Sequence, residues 1–218
     1  MVILSQLKVK YLITSLQLEQ HSLSLFSWHF TLHEELQSLI QINYNMALIK
    51  SLLGKTPSFG KNNWFADNAT IVGDVQAGDD CSFWFNAVVR GDVNNITIGN
   101  KVNIQDNAVI HCTYQKAATK IGNNVSIGHN ANVHGCTIED NVLIGMGAIV
   151  MDHCVVGTNS VIAAGAVVLE NTIIEPNSLY AGIPAKKMKD LDPEKFQFLV
   201  ERTANNYVKY ASWYKDEE

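Results

Sequence analysis

Two histidines five residues apart, His129 and His134, are the first residues of this sequence that point to chemistry. They lie in the stretch "IGHNANVHG", and a third, His111, follows Ile110 just as His134 follows Val133. A spacing of five puts two side chains roughly 140° apart on an α-helix and on opposite faces of a flat strand. Neutral imidazoles are common metal ligands, so the fold must be one that can bring these rings together.

A six-residue repeat of aliphatic residues supplies the elements that position the histidines. The longest run of the repeat consists of Ile138, Ile144, Val150, Val156, Ile162, Val168, Ile174 and Tyr180. The same phase occurs upstream in two shorter runs, Ile98, Ile104, Ile110 and Ile121, Ile127, Val133. One inward aliphatic residue per hexapeptide predicts a parallel β-helix of triangular section, with about 18 residues per coil and coils ~4.8 Å apart.

The phase of the repeat assigns each histidine to a face. If "HCTYQKAATK" spans one face with a surface excursion of about five residues, face one begins at Ile110, face two at Ile121, face three at Ile127, and face one again at Val133. His111 and His134 then stack one coil apart, at ~5 Å. His129 lies on the adjacent face and must come from another subunit, so a trimer of prisms would complete a three-histidine site at each interface.

Such a site has a defined chemistry. Imidazoles stacked at this distance can share one ion, because Zn–N bonds are ~2.0–2.1 Å long. Three of them around Zn²⁺ leave one position for water, whose pKa falls to ~7. The resulting hydroxide attacks CO₂ or an activated carbonyl. Fe²⁺ and Co²⁺ accept the same donors.

The run "FWFNAVVRGDVNNITIGNKVNIQDNAVIHC", followed by "IGHNANVHG", resembles the gamma-class carbonic anhydrase family over about residues 55 to 185. The resemblance implies a left-handed β-helix, although the ordinary crossover rule favours the right-handed form. It also implies a zinc-dependent carbonate dehydratase that works as a homotrimer. In such a trimer His111 and His134 ligate the metal from one subunit and His129 from its neighbour.

Further site residues follow from the same resemblance. Arg90 and Asp92 match the family's Arg-Gly-Asp motif, in which the arginine pairs across the subunit interface with the aspartate of the Gln-Asp motif, here Asp106. Gln105 resembles the glutamine that hydrogen-bonds the metal-bound water, and Tyr180 resembles the tyrosine that supports it. From position alone, Tyr180 could instead be a bulky cap on the last coil, and the Arg-Gly-Asp run could be a glycine turn.

Two departures from the family pattern bear on activity. Val93 stands where the archetype carries a glutamate, and the loop "CTYQKAATK" lacks the acidic excursion that holds a proton-shuttle glutamate. Because hydration releases a proton that must leave before the next turnover, we expect weak activity on CO₂. Tyr114 or buffer is the remaining candidate for carrying that proton.

Two other classes of protein compete with this reading. A hexapeptide-repeat acyltransferase shares the prism and the trimer, often ends with a phrase like "AGIPAK", and uses one histidine as general base toward acyl-CoA. A non-catalytic trimeric metal-binding scaffold would offer its C-terminal helix to a partner. Fold alone does not separate these readings, but three histidines in ligand-compatible positions favour a metal site.

Composition excludes several functions. The 218 residues are 47% hydrophobic and 17% charged, with a net charge of -5 and only two arginines, Arg90 and Arg202. That balance argues against nucleic acid and against anionic membrane surfaces, and no apolar run reaches the ~18–20 residues of a membrane span. The four cysteines form no CxxC pair, which predicts reduced, buried thiols in a cytoplasmic protein.

Three segments are expected. Residues 1–45 lack the repeat, and we interpret them as upstream sequence preceding a true start at Met46, the alternative being a short helical extension around "LHEELQSLIQINY". Residues 46–185 form the β-helix, which Pro184 ends. Residues 186–218 form a helix and tail, with Asp192 as N-cap and Pro193 as first helical residue. A predicted apolar stripe packs the helix on one face of the prism, through Phe196, Leu199, Val200, Thr203, Tyr207, Ala211 and Tyr214.

Overall fold

The computed structural model describes residues 46–215, except for the side chains of Lys195, Gln197 and Leu199. The predictions for residues 1–45 lie outside the described residues. In chain order the elements are β1 (Leu48–Lys50), β2 (Ser58–Phe59), β3 (Trp64–Phe65), β4 (Thr70–Ala77), β5 (Ser82–Phe83), β6 (Val88–Ile98), β7 (Asn103–Ile104), β8 (Val109–His111), β9 (Thr119–Ile121), β10 (Ser126–Ile127), β11 (Asn132–His134), β12 (Thr137–Ile138), β13 (Leu143–Ile144), β14 (Ile149–Val150), β15 (Val155–Val156), β16 (Val161–Ile162), β17 (Val167–Val168), β18 (Ile173–Ile174), β19 (Ser178–Ala181), β20 (Lys186–Asp190) and α1 (Pro193–Lys215).

These strands wind into a left-handed parallel β-helix with three faces, which confirms the predicted fold class. Face one carries β8, β11, β14 and β17, face two carries β9, β12, β15 and β18, and face three carries β3, β5, β7, β10, β13, β16 and β19. The long strands β4 and β6 bend around one corner and contribute to faces one and two. The order of faces along the chain is the one that the repeat phase predicts.

One aliphatic residue per hexapeptide points into the prism and stacks on its equivalent in the next coil. On face one, for example, Val89, Ile110, Val133 and Val150 are register partners and fully buried. Each such side chain contributes roughly 1.5–3 kcal/mol by leaving water. Since the residue after each inward aliphatic points outward, the core fixes which side chains stand on the surface of each face.

The C-terminal end of the prism differs from prediction in one element. After Pro184 the chain does not pass directly to the helix but forms β20, which pairs antiparallel with β19. The strand reads "KKMKD" and is exposed along its length. Lysines on an edge strand discourage further strand pairing, so β20 closes the open edge of face three.

Helix α1 begins as predicted, with the carboxylate of Asp192 accepting a hydrogen bond from the amide of Glu194 at 3.2 Å. It lies against face three, over β5 and β10. Its contact residues include Phe196, Val200 and Ala211, together with Ala204, which the predicted stripe missed; all four are buried. The four cysteines of the chain are buried and free, as expected. Within residues 46–215, no helix is long and apolar enough to cross a bilayer.

Candidate metal centre

The surface of face one presents two histidines side by side. His111 ends β8 and His134 ends β11, and the two are register partners in adjacent coils. Their ring centroids are 5.0 Å apart, and Nδ1 of His111 lies 3.0 Å from Nε2 of His134. The stacking predicted from the repeat phase is therefore present in the single chain.

Each ring is held at its outer nitrogen by a carboxylate. Asp92 Oδ1 lies 3.0 Å from His111 Nε2, and Asp152 Oδ1 lies 2.5 Å from His134 Nδ1. Arg90 donates to the other oxygen of Asp92. Asp152 was not among the predicted site residues. The sequence signal that could have found it is its spacing from His134. Asp152 lies 18 residues later, which is one coil of the β-helix, and so packs against that ring from the next coil.

Electrostatics disfavour a second proton on the ring of His111. Burial lowers the pKa of His111, and the nearby charges of Arg90 and His134 add to this effect against the opposing hydrogen bond to Asp92. Burial opposes ionisation of Asp92, but hydrogen bonds from Arg90 and His111 outweigh it and lower the pKa of that carboxyl. An ionised carboxylate only accepts hydrogen bonds, so each outer ring nitrogen donates. With the ring proton of each histidine on its outer nitrogen, His111 Nδ1 and His134 Nε2, which are 3.0 Å apart, are the two nitrogens that could bind a metal ion.

This donor set fits a metal ion. Two nitrogen ligands of a tetrahedral zinc ion lie ~3.3 Å apart when each Zn–N bond is ~2.0–2.1 Å, close to the separation of the two inner nitrogens. Backing each ligand histidine with a carboxylate is usual for metal sites. Within residues 46–215, however, no group of three or more histidine, cysteine or acidic side chains is placed to hold a metal. The single chain offers a half-site.

The third predicted ligand stands apart from this pair. His129 follows β10 at the corner between faces three and one, where its Nδ1 lies 2.8 Å from Asp106 Oδ2. Its side chain is 39% exposed. Consecutive faces of a triangular prism diverge, so the single chain does not bring His129 to His111 and His134, as the repeat phase predicts.

Of the remaining predicted residues, Asp92 and Arg90 lie beside the histidine pair, whereas Gln105 lies on another face. Asp92 lies in the site through His111, but Arg90 contacts Asp92 within the chain rather than Asp106. Gln105 is buried on face three, where its amide nitrogen donates to Asn103 Oδ1 at 2.9 Å. The pairing of Arg90 with Asp106 concerns a subunit interface and stays a prediction.

Tyr180 does not meet Gln105 in the single chain. The register along face three runs from Ile104 through Ile127, Ile144 and Ile162 to Tyr180. Four coil spacings of ~4.8 Å therefore separate the two positions. Tyr180 is 8% exposed and belongs to the apolar core. Because its side chain points into the prism, Tyr180 caps the last coil of the single chain and does not contact Gln105 there.

The two positions that depart from the family pattern are Val93 and the turn between β8 and β9. Val93 is partly buried and packs against the core. The connection between β8 and β9 is a tight turn closed by bonds between Thr113 and Ala117, with Tyr114 exposed at its tip. Neither position offers a carboxylate near the histidine pair.

Comparison with known proteins gives this geometry a context. The family model "Bacterial transferase hexapeptide (six repeats)" matches residues 118–150 and 135–170. A Bacillus cereus protein solved as a candidate acetyltransferase is 37% identical, with a TM-score of 0.74, covering 79% of this chain and 99% of its own.

Two curated relatives are named as carbonic anhydrases. The "Probable carbonic anhydrase" of Methanocaldococcus jannaschii is 53% identical, covering 69% of this chain and 94% of its own length. "Gamma carbonic anhydrase 2, mitochondrial" of Arabidopsis thaliana is 38% identical over 78% of this chain, and the match spans 62% of that relative. With its hexapeptide prism, its paired histidines and these relatives, the chain belongs to the gamma carbonic anhydrase family.

Proposed function

We propose that the chain is a gamma-type carbonic anhydrase that hydrates CO₂ to bicarbonate at metal sites shared between the subunits of a homotrimer. The observation that carries this proposal is the pair of ring nitrogens, His111 Nδ1 and His134 Nε2, 3.0 Å apart, each ring backed by a carboxylate. Membership of the gamma carbonic anhydrase family supports the reaction.

The ligand set is His111 and His134 of one subunit with His129 of the partner subunit. Three features support it: the histidine pair points outward from face one, the side chain of His129 is partly exposed at the corner between faces three and one, and among the described residues two imidazole nitrogens converge. Cyclic assembly of three prisms generates three equivalent interfaces, each of which can bring two such faces together.

A Zn²⁺ ion at this site would supply Lewis-acid activation of water at neutral pH; Fe²⁺ or Co²⁺ fits the same donors. The protein's own residues hold the geometry. Arg90 fixes Asp92, and Asp92 fixes the ring of His111. Gln105, restrained by Asn103, is assigned to orient the reacting water.

Proton removal is the step for which the chain is least equipped. Val93 is apolar and packed, and the turn after His111 carries no acidic side chain near the histidine pair. External buffer is therefore the expected proton acceptor, and turnover should rise with buffer concentration.

The test is metal content per trimer on anaerobically purified protein, paired with stopped-flow CO₂ hydration over a range of buffer concentrations. About three metals per trimer with buffer-dependent turnover would support the proposal. His111→Ala should lose both metal and activity. His153→Asn is the matched control, because His153 is an exposed histidine at a left-handed turn, where φ is +59° and asparagine is well tolerated.

A second candidate is acyl transfer, favoured by the resemblance to the Bacillus cereus protein solved as a candidate acetyltransferase. Equilibrium dialysis with acetyl-CoA separates the two. Absence of metal together with saturable acetyl-CoA binding would overturn the anhydrase proposal. Stoichiometric metal without hydration would instead leave a related hydrolase or a metal-binding scaffold.

A further inference from the structure

His134 is held from the side that faces away from His111. Its Nδ1 lies 2.5 Å from Asp152 Oδ1, while its Nε2 faces His111 Nδ1 at 3.0 Å. A neutral imidazole carries one ring proton, and the nitrogen that contacts a carboxylate must be the donor. The contact with Asp152 therefore leaves Nε2 as the nitrogen with a free lone pair.

Asp152 is itself fixed. The hydroxyl of Thr113 donates to its second carboxylate oxygen. Thr113, His134 and Asp152 belong to three consecutive coils, so one carboxylate ties these coils together beside the histidine pair. The side chain of Asp152 is only 16% exposed.

The backbone next to His134 is shaped around this carboxylate. A Cβ at Gly135 would lie 2.3 Å from Asp152 Oδ1 and 2.7 Å from the Cβ of Ala117, and Gly135 has a φ of +53°. Glycine is the residue that both the space and the backbone conformation allow. The close approach of Asp152 to the ring of His134 thus depends on the glycine at position 135.

We propose that Asp152 is a positioning residue that fixes the tautomer and orientation of His134, so that Nε2 is presented to the metal ion shared with His111. Asp92 acts on His111 from the opposite end of the pair, through Nε2. The inference rests on the proposed function in requiring a metal at the pair within the proposed trimer; it does not depend on the reaction catalysed.

The direct test is Asp152→Asn. Thr113 donates to this side chain, so the asparagine oxygen should turn toward Thr113 and its NH₂ group toward His134 Nδ1. The ring proton should then move to Nε2 and block the ligand position. Long-range ¹H–¹⁵N spectra of the metal-free trimer should show Nδ1–H in the wild type and Nε2–H in the variant. Co²⁺ affinity, measured against a competing chelator, should fall about 10–100-fold.

Two further variants control the experiment. Asp140→Asn makes the same change at a turn aspartate that accepts a bond from the Asn123 amide at 2.7 Å, and it should leave both readouts unchanged. Thr113→Val should weaken Co²⁺ binding in the same direction as Asp152→Asn, whereas Thr113→Ser, which keeps the hydroxyl, should restore it. Sedimentation confirms that each variant remains a trimer.

The outcomes are distinguishable. If Asp152→Asn retains Nδ1–H on His134 and binds Co²⁺ within about twofold of the wild type, the positioning role is wrong. If the wild type binds Co²⁺ and responds to Asp152→Asn but does not hydrate CO₂, only the proposed reaction fails. A wild type that binds no Co²⁺ overturns both.

Discussion

His129 and Asp106 occupy equivalent positions in adjacent coils, and His129 Nδ1 lies 2.8 Å from a carboxylate oxygen of Asp106. Arg90, the predicted interface partner of Asp106, contacts Asp92 instead. Within one chain, each member of the predicted interface pair is thus linked to a candidate metal ligand. Asp106 contacts His129 directly, and Arg90 contacts Asp92, which in turn contacts His111. Assembly and the metal centre should therefore depend on the same charges.

Mixed trimers test the shared site. His111→Ala and His129→Ala should each abolish metal binding as pure trimers, because every site then lacks one ligand. In a trimer that contains both variants, one interface in three joins an intact His111 to an intact His129 of the partner subunit, so about one metal per mixed trimer should return. Metal analysis of co-expressed, doubly tagged trimers measures this.

Mixed trimers of His111→Ala with His134→Ala provide the control. Both histidines belong to the same subunit's half of the site. Every subunit in this mixture lacks one of them, so mixing should restore no metal site. Equal recovery in the two mixtures, or no recovery in the first, would contradict the placement of His129 across an interface.

Asp106→Asn tests the predicted interface pair with Arg90. Truncating one partner of a buried interfacial charge pair costs about 2–5 kcal/mol, so the trimer should dissociate at protein concentrations at least tenfold higher than the wild type does. Asp74→Asn is the control, because it removes the partner of Lys55 from an ion pair of 3.2 Å whose lysine is largely exposed; such pairs contribute ~0–1 kcal/mol. Sedimentation velocity that shows equal dissociation for both variants would rule out the Arg90–Asp106 pairing.

The histidine pair was predictable from sequence for a physical reason. Once each hexapeptide has one inward aliphatic residue, the next residue must point outward, and equal phase places His111 directly beside His134. The fold class follows from the same periodicity.

Other features depend on interactions that periodicity does not encode. The bond between Asp152 and His134 requires particular side-chain torsions across two coils. Strand β20 was missed because "KKMKD" carries no alternating apolar pattern and forms only where β19 leaves an open edge. Tyr180 is assigned to the site by resemblance; within the single chain it is buried in the apolar core, and its role in an assembled site stays a prediction.

The stacked core makes a stability prediction. Ile144 is fully buried, so Ile144→Ala should lower the free energy of unfolding by about 2–5 kcal/mol through lost burial and a residual cavity. Ile173→Ala is the same substitution at a side chain 63% exposed and should change stability by less than about 0.5 kcal/mol. Denaturant unfolding measures both. Similar losses at the two positions would contradict the inward and outward assignment of the repeat.

The buried cysteines should be chemically silent. Burial raises the pKa of the Cys81 thiol to about 11 and also raises that of Cys136. At pH 8 only about one Cys81 in a thousand is the reactive thiolate. Native protein should therefore resist iodoacetamide for hours, whereas denatured protein should be labelled at all four cysteines. Mass spectrometry counts the adducts, and rapid native labelling of Cys81 would contradict its burial.

Tyr207 should make stability fall at alkaline pH. Burial, and secondarily the charge of Asp106, raises the pKa of Tyr207 to about 12 from its usual value of about 10. Because the folded pKa is the higher one, this contribution to stability is complete below pH 10 and is lost as pH rises from about 10 to 12. Tyr207→Phe removes the titrating group, so its denaturant midpoint should fall less between pH 9 and pH 11.5 than that of the wild type. Tyr114→Phe, at an exposed tyrosine, serves as the control and should follow the wild type. Parallel alkaline losses in the wild type and Tyr207→Phe would show that the packing of α1 on face three does not keep this phenol neutral.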